Sequence, residues 1–390
     1  MADRSRRPIK PAVSSSNSPM GKDSIRSARR GILFVLAAIL AYALYLLLSG
    51  QMPNFASALS QVDMRWVAAA VACWGAYYLL GVLAYAIGAA RDPGCPLGMR
   101  DLMSVEATGV FFSFLTPNGT GGPPAQIVRL SKAGLSAGQA GAFQYTRFVI
   151  YEACEGIFAA IMLLFRGQWF FDAYGDVALV GTILFGLKIG EVLSLVLVCL
   201  LPRQVLRIGH ALLHVARRNR RLSGRVDRWG QTLDREVTAF SQGFRNAMSD
   251  MPEMLAVAAI TLVQLGCQYA LPWFALRAFG LPADLVTCLA CGSVLELLTS
   301  AVPLPGGTGG AEGGFAYLFG GMFGDALPAG YAVWRLVEYF LPILVSVPLM
   351  MLRSPHRETL HARMARARRR LRKAVDRALR AKRRLPTGRR

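Results

Sequence analysis

The sequence predicts an all-α polytopic membrane protein with six spanning helices plus two re-entrant helical hairpins in an inverted-topology repeat. Three observations support this prediction. Of the 390 residues, 54% are hydrophobic and only 17% are charged, whereas a soluble domain carries roughly 25% charged residues. Several apolar stretches reach the roughly 20 residues that a helix needs to cross the hydrocarbon layer. Two further apolar stretches are interrupted by a similar glycine-rich motif.

The spanning helices are predicted from uninterrupted apolar stretches. These lie at 31–50, 66–90, 137–165, 177–200, 252–279 and 328–352. The first stretch follows a basic start and has no small-residue cleavage site, which favours a retained anchor over a cleaved signal peptide. The predicted transmembrane domain therefore covers residues 31–352.

The charge distribution predicts the orientation of these spans. The net charge is +21, and the cations concentrate in three segments: 1–30 with eight basic and two acidic residues, 201–251 with ten and four, and 353–390 with sixteen and two. The predicted crossings place all three segments on one side, and an excess of Lys and Arg marks the cytoplasmic side. We therefore expect a multi-pass protein of the cell (inner or cytoplasmic) membrane with both termini in the cytoplasm.

The basic segments flank apolar spans instead of covering one folded face, so no specific nucleic-acid binding is expected. The tail 353–390 and the segment 203–222 carry apolar residues at near-helical spacing among their cations. Basic amphipathic helices of this kind bind anionic membrane surfaces. A solvated tail that only fixes topology is the alternative.

Each interrupted apolar stretch is predicted to be a re-entrant hairpin. The first, 101–136, contains Thr-Pro-Asn-Gly-Thr-Gly-Gly-Pro-Pro from Thr116, and the second, 285–327, contains Pro-Leu-Pro-Gly-Gly-Thr-Gly-Gly-Ala-Glu from Pro303. Irregular backbone at membrane depth is tolerated only where protein or a water-filled cavity covers its polar groups. The hairpin tips are therefore expected to face an interior site.

A shift of 188 residues reveals a duplication in the chain. It places one Gly-Thr-Gly-Gly motif on the other, Arg147 on Arg335 and Tyr151 on Tyr339. The predicted repeats cover about 66–165 and about 252–352. An odd number of crossings separates their starts, so the copies are expected to be inverted. Inverted repeats with Gly/Pro-interrupted segments indicate an alternating-access site near the bilayer midplane.

The two glycine motifs supply most of the candidate substrate-binding residues. These are Asn118, Gly119, Thr120, Gly121 and Gly122 in the first motif, and Gly307, Thr308, Gly309 and Gly310 in the second. A helix that restarts after each motif directs unpaired N–H groups and a partial positive charge at the loop, which favours an oxyanion. Alternatively, the glycines only permit tight hairpins and close helix packing.

Arg147 and Arg335 are candidate phosphate ligands. An uncompensated arginine inside a membrane costs at least about 2.5–3.5 kcal/mol on insertion scales, so each is expected to face a partner or a cavity. Guanidinium binds phosphate through two parallel hydrogen bonds. The competing interpretation is internal pairing, of Arg335 with Glu338 and of Arg147 with Glu155 or Glu152.

Glu312 is included in the candidate site, as a helix cap or as a group that couples transport to a proton or cation. Other polar residues of the spans are expected to support the site: Gln126, Tyr151, Glu152, Glu155, Glu338 and Tyr339. Glu106 and Glu296 fall in the first arms of the hairpins, where cavity lining and burial against a donor are both plausible. Lys188 and Glu191 are expected to form an i, i+3 pair.

No catalytic residue, cofactor or metal is predicted. All four histidines lie in the basic cytoplasmic regions, so no catalytic triad forms in the spans. The pair Cys288 and Cys291 has metal-like spacing, but no second pair or nearby histidine completes a site.

The two glycine strings, extended to Val128 and to Gly314, together with Trp-Arg-Leu-Val-Glu-Tyr-Phe-Leu-Pro-Ile from Trp334, resemble the transmembrane, flippase-like domain of lysylphosphatidylglycerol synthases over roughly residues 30–352. The resemblance implies two inverted re-entrant hairpins and the movement of phospholipids, or of polyprenyl-linked or hopanoid-like lipids, between leaflets. Some members carry an acidic residue and an arginine where this sequence has Pro123 and Ala311. The soluble aminoacyl-transferring domain has no counterpart here, so lysyl transfer by this chain alone is not expected.

The sequence therefore predicts translocation of a lipid with a phosphate-bearing headgroup, bound between the two glycine loops with Arg147 and Arg335 as phosphate partners. One alternative is an integral-membrane enzyme or enzyme subunit that acts on a lipid-linked donor with Glu312 or Glu338 as base. Another is a scaffold that recruits partners through the basic tail. The expected partners are the lipid and the anionic membrane surface, and a homo-oligomer is left open.

Overall fold

The computed structural model of the chain describes most of its apolar part. The described residues are 57, 59–92, 94–201, 203–204, 206–207, 210–211, 223–300, 302, 304, 306–354, 359–360, 366 and 369. The N-terminal segment 1–30, the predicted span 31–50, and most of both the segment 203–222 and the tail 353–390 lie outside them.

Every regular element among the described residues is a helix, which confirms the predicted all-α fold. The first half contains α1 (Met64–Arg91), α2 (Met99–Leu115), α3 (Gly122–Lys132), α4 (Ala137–Tyr174) and α5 (Asp176–Leu200), followed by α6 (Ser223–Ser249). The second half contains α7 (Met251–Tyr269), α8 (Leu271–Ala278), α9 (Leu285–Ser300), α10 (Gly310–Phe323), α11 (Leu327–Arg335) and α12 (Leu341–Leu349). A π-helical turn, Leu336–Phe340, joins the last two.

Four helical stretches of the described residues are long and apolar enough to cross a membrane. They are Met64–Arg91, Ala137–Tyr174, Met251–Ala278 and Gly310–Leu349, and they contain almost all of four predicted spans. The predicted span 177–200 coincides with α5, a helix of 25 residues. A helix of that length extends over about 37 Å.

The first predicted hairpin consists of α2 and α3, which pack against each other. The turn between them places Asn118 and Gly119 at φ 51° and 66°, a left-handed conformation that favours Asn and Gly. The Gly121 N–H donates to the Thr116 hydroxyl at 2.8 Å. With 11 residues, α3 is about 17 Å long, too short to cross a hydrocarbon layer of about 30 Å.

The helices of the two halves correspond under the 188-residue shift. Helix α3 begins at Gly122 and α10 at Gly310. In the same way α1 corresponds to α7 with α8, α2 to α9, and α4 to α11 with α12. In the second half the first helix is divided after Tyr269, and Pro272 is the second residue of the helix that follows. Proline has no N–H to donate and its ring clashes with the preceding turn, which explains the division.

The first helices of the two halves run antiparallel. At one end, the Asp63 N–H, which precedes α1, donates to the Ala278 carbonyl at the end of α8, at 2.9 Å. At the other end, Arg91 of α1 forms an ion pair of 3.3 Å with Asp250, which precedes α7. Corresponding helices with opposite directions are what an inverted repeat requires.

Each hairpin packs on the last helix of the other repeat, which is α4 in the first repeat and α12 in the second. Helix α2 packs on α12, where the Ser104 hydroxyl donates to the Met350 carbonyl at 2.6 Å. Helix α9 packs on α4, where Arg166 pairs with Asp284 at 2.8 Å, just before α9. The interior of the fold is therefore built at contacts between the two halves.

Candidate functional site

A cavity of about 530 Å³ lies between α1, α4, α6 and α7. Its inner wall includes the buried residues Tyr85 and Arg147, and its rim includes the exposed residues Arg91, Asp92 and Asn246. The cavity therefore extends from the protein surface to a buried arginine. We call it the Arg147 cavity; its volume falls within the range of about 300–1,000 Å³ that is usual for ligand sites.

One wall of the Arg147 cavity is α6, which is held close to α4 at Gly138. The Gly138 N–H donates to the Glu236 carboxylate at 2.6 Å. A Cβ at this position would lie 2.2 Å from the Glu236 carbonyl oxygen. Only glycine therefore permits this approach of the two helices.

Arg147 is buried, with 7% of its surface exposed, and its hydrogen bonding is incomplete. Its Nη2 donates to Gln264 Oε1 at 2.6 Å, and its guanidinium carbon lies 5.3 Å and 6.0 Å from the ring centres of Tyr151 and Tyr85. Within the described part of the chain, Nε and Nη1 have no hydrogen-bond partner. Buried donors are rarely left unpaired, so this guanidinium has the capacity to bind an anion.

Two parallel hydrogen-bond relays connect α4, through α7, to the two hairpins. In the first relay Gln264 accepts from Arg147 and donates through Nε2 to Glu106 on α2, at 3.5 Å. In the second relay Gln268 accepts from the Tyr151 hydroxyl and donates to Glu296 on α9, both at 3.4 Å. The two relays lie one helical turn apart. Their donors, Arg147 and Tyr151, are four residues apart on α4, and their glutamines are four residues apart on α7.

Both terminal nitrogens of Arg335 are paired at the second glycine motif. Its Nη2 donates to the Gly306 carbonyl at 2.7 Å, its Nη1 lies 3.3 Å from Glu338, and its guanidinium stacks 4.5 Å from the ring centre of Tyr339. Tyr339 in turn donates to the Phe114 carbonyl at the end of α2, at 3.3 Å. The internal pairing considered for Arg335 is therefore present in the structure.

Glu312 acts as a helix cap in this structure. Its carboxylate accepts a short hydrogen bond from the Gly309 N–H at the start of α10 and another from the Tyr331 hydroxyl at 2.5 Å. Arg335 lies 3.9 Å away. These contacts match the capping alternative that the sequence had left open.

The considered pairing of Arg147 with Glu152 or Glu155 is wrong. Lys188 of α5 contacts both carboxylates, at 2.8 Å in the case of Glu155. The predicted contact of Lys188 with Glu191 is present at 3.6 Å but is longer. Tertiary packing of α5 against α4 brings the lysine to two buried carboxylates, and this outweighs the local i, i+3 spacing.

The structure separates residues that were predicted to share one site. The Arg147 cavity is lined by Arg147 but not by Arg335 or by the described residues of either glycine motif. The first hairpin is connected to Arg147 indirectly, because Gln144 donates to Gln126 at 2.6 Å and accepts from Tyr85 at 2.5 Å. Asn118, Thr120 and Thr308 are exposed.

Several polar residues that organise this interior were not predicted from the sequence. Gln264 and Gln268 could have been noticed as two amides one turn apart in an apolar span. Arg129 gives a weaker signal near the base of the first hairpin. It pairs with Asp101 at 3.1 Å and donates to the Leu352 carbonyl at 2.7 Å, which fixes the hairpin to the end of the last helix.

Comparison with known proteins identifies the family. The model of the lysylphosphatidylglycerol synthase transmembrane region matches residues 32–346. The chain is also similar to a UPF0104 membrane protein of Archaeoglobus fulgidus, with 23% identity over 249 residues that cover 61% of this chain and 71% of the relative. The chain is therefore a membrane protein that belongs to the lysylphosphatidylglycerol synthase transmembrane region family.

Proposed function

We propose that this protein moves a lipid with a phosphate-bearing headgroup between the leaflets of the cell membrane. The observation that carries the proposal is Arg147, which lines a cavity of about 530 Å³ and whose buried Nε and Nη1 have no hydrogen-bond partner among the described residues. Guanidinium and phosphate match in geometry as well as in charge. The headgroup enters the Arg147 cavity while the acyl chains stay in the bilayer.

Two features of the fold support transport over simple binding. The first helices of the two halves run antiparallel, and each hairpin packs on the last helix of the other repeat. Inverted halves with interrupted helices are typical of alternating-access transporters. In the proposed orientation both termini and the cavity rim at Arg91 face the cytoplasm, and both hairpins re-enter the membrane.

The proposal assigns no catalytic role to this chain. Glu312 and Glu338, the acids considered as bases for an enzyme, are engaged with a helix terminus and with Arg335. In the proposed transport, Arg335 holds the second glycine motif in place by donating a hydrogen bond to the Gly306 carbonyl. The basic tail contributes affinity for the anionic membrane surface.

The test is the transbilayer movement of fluorescent phosphatidylglycerol in proteoliposomes, followed by dithionite quenching. We expect wild-type protein to accelerate movement over protein-free liposomes and Arg147→Ala to remove at least most of the acceleration. The matched control is Arg166→Ala on the same helix, because Arg166 pairs with Asp284 at a partly exposed site away from the cavity. Movement equal to that in empty liposomes, across several lipid classes, contradicts the proposal.

A further inference from the structure

We propose that Glu106 is a proton-binding site linked to Arg147, so that one proton accompanies each anionic headgroup across the membrane. This inference rests on the proposed lipid transport and assigns the ion that is coupled to it. In the first relay, Gln264 lies between Arg147 and Glu106.

Glu106 is placed for this role by close packing around its carboxylate. It lies on α2 with 7% of its surface exposed. A Cβ at Gly81 of α1 would lie 2.0 Å from Glu106 Oε1 and 2.8 Å from Gln264 Nε2. The absence of a side chain on α1 therefore creates the space that holds this carboxylate against Gln264.

Among the described residues of the neighbouring helices, Arg147 is the charged group that acts on Glu106. Helix α1 contributes the tyrosines Tyr77, Tyr78 and Tyr85. Their hydroxyls bond elsewhere, to Tyr151, the Met103 carbonyl and Gln144, and they are uncharged at neutral pH.

The more distant charges of the hairpin compensate each other. Asp101 and Arg129, nearer the base of the hairpin, pair at 3.1 Å. The charge state of Glu106 therefore depends chiefly on whether Arg147 is free or bound to an anion.

Charge balance requires the proton. With the cavity empty, cationic Arg147 and anionic Glu106 sum to zero. A phosphate diester bound to Arg147 adds one negative charge, and an uncompensated charge costs several kcal/mol when it is carried across the hydrocarbon layer. One proton, donated by a hydronium ion that is left as water, forms an O–H bond on the Glu106 carboxylate and restores the sum to zero. The site formed by Arg147 and Glu106 is then neutral both when it is empty and when it is loaded.

The second relay provides the matched control. Glu296 accepts from Gln268 in the same way as Glu106 accepts from Gln264, but its relay ends at Tyr151, which carries no charge. An anion that binds Arg147 therefore neutralises no charged group of the second relay. Glu296→Gln therefore changes a half-buried glutamate of the other hairpin without removing the proposed coupling.

The first test is proton uptake on binding. Dihexanoyl phosphatidylglycerol is added to the purified full-length chain in detergent, in weak buffer with a pH-indicator dye. We expect about one proton taken up per bound lipid by wild type and by Glu296→Gln, and none by Glu106→Gln. Binding to wild type without proton uptake, or unchanged uptake by Glu106→Gln, overturns the inference.

The second test uses transport and distinguishes the two proposals. With one proton per lipid, a gradient of one pH unit drives the leaflet ratio of fluorescent phosphatidylglycerol toward about tenfold. We expect this in wild type and Glu296→Gln, and a ratio near one in Glu106→Gln. If wild type moves lipid but its leaflet ratio does not depend on the pH gradient, the proton coupling is wrong and the proposed transport is unaffected. If wild type moves no lipid, both proposals are wrong.

Discussion

Replacing Gly138 with alanine tests the contact between α4 and α6 that forms one wall of the Arg147 cavity. The new Cβ would lie 2.2 Å from the Glu236 carbonyl oxygen and 3.0 Å from its carbon. These are backbone atoms of another helix, so no side-chain rotation relieves the overlap. The helices must separate by about 1 Å to reach van der Waals distance.

The expected loss of stability follows from two contributions. Overpacking of a tight contact costs about 1–3 kcal/mol, and the separation weakens the charged hydrogen bond from the Gly138 N–H to Glu236 at 2.6 Å, a type worth about 1.5–3 kcal/mol. The higher helix propensity of alanine returns up to about 1 kcal/mol. The net destabilisation is therefore about 2–4 kcal/mol.

The assay compares thermal unfolding of Gly138→Ala with that of Gly167→Ala, both in nanodiscs. Gly167 is on the same helix, and no atom of the described residues lies within 4 Å of its added Cβ, so we expect that control to match or slightly exceed wild type. We expect Gly138→Ala to unfold several degrees lower and to move lipid more slowly. Equal unfolding temperatures for the two variants would refute the packing that defines the cavity wall.

Three further predictions concern other contacts. Gly81→Ala is expected to displace the carboxylate of the first relay and to abolish pH-coupled transport. Gly75→Ala on the same helix is expected to keep pH-coupled transport, because the space around its Cβ is open. Equal coupling of transport to pH in the two variants contradicts the proposed relay. Copper phenanthroline is expected to join Cys73 to Cys267, because the Cys73 thiol on α1 donates to the Cys267 carbonyl on α7 at 3.4 Å. The cross-link is measured as the loss of two maleimide-reactive thiols. Arg129→Ala is expected to lower the free energy of unfolding by about 3–5 kcal/mol, because it leaves a buried carboxylate without its ion-pair partner. A denaturant titration that shows an unchanged free energy of unfolding contradicts this.

The fold was largely predictable because its signals are local in the sequence. Span length and apolar composition identify the long helices, and the 188-residue shift anticipates that α3 and α10 begin at equivalent glycines. Opposite directions of the two halves follow from counting crossings. These features need no knowledge of which helices touch.

The candidate site was less predictable because it depends on contacts between distant segments. Arg147 and Arg335 occupy equivalent positions in the sequence. Two nitrogens of Arg147 have no partner among the described residues, whereas both terminal nitrogens of Arg335 are paired. The difference arises from their surroundings, since Glu338 follows Arg335 by one turn and the equivalent of Glu338 near Arg147 is an isoleucine, Ile150. Helix α6 was expected only as part of a basic connection, and its role as a cavity wall depends on its packing against α4.

The most direct test of the account is a cryo-electron microscopy structure of the protein in nanodiscs that contain phosphatidylglycerol. The account predicts headgroup density inside the Arg147 cavity, with phosphate oxygens about 2.7–2.9 Å from the guanidinium nitrogens of Arg147. Density for ordered lipid headgroups only on the outer surface of the bundle, with the cavity free of lipid or closed by protein side chains, would contradict it.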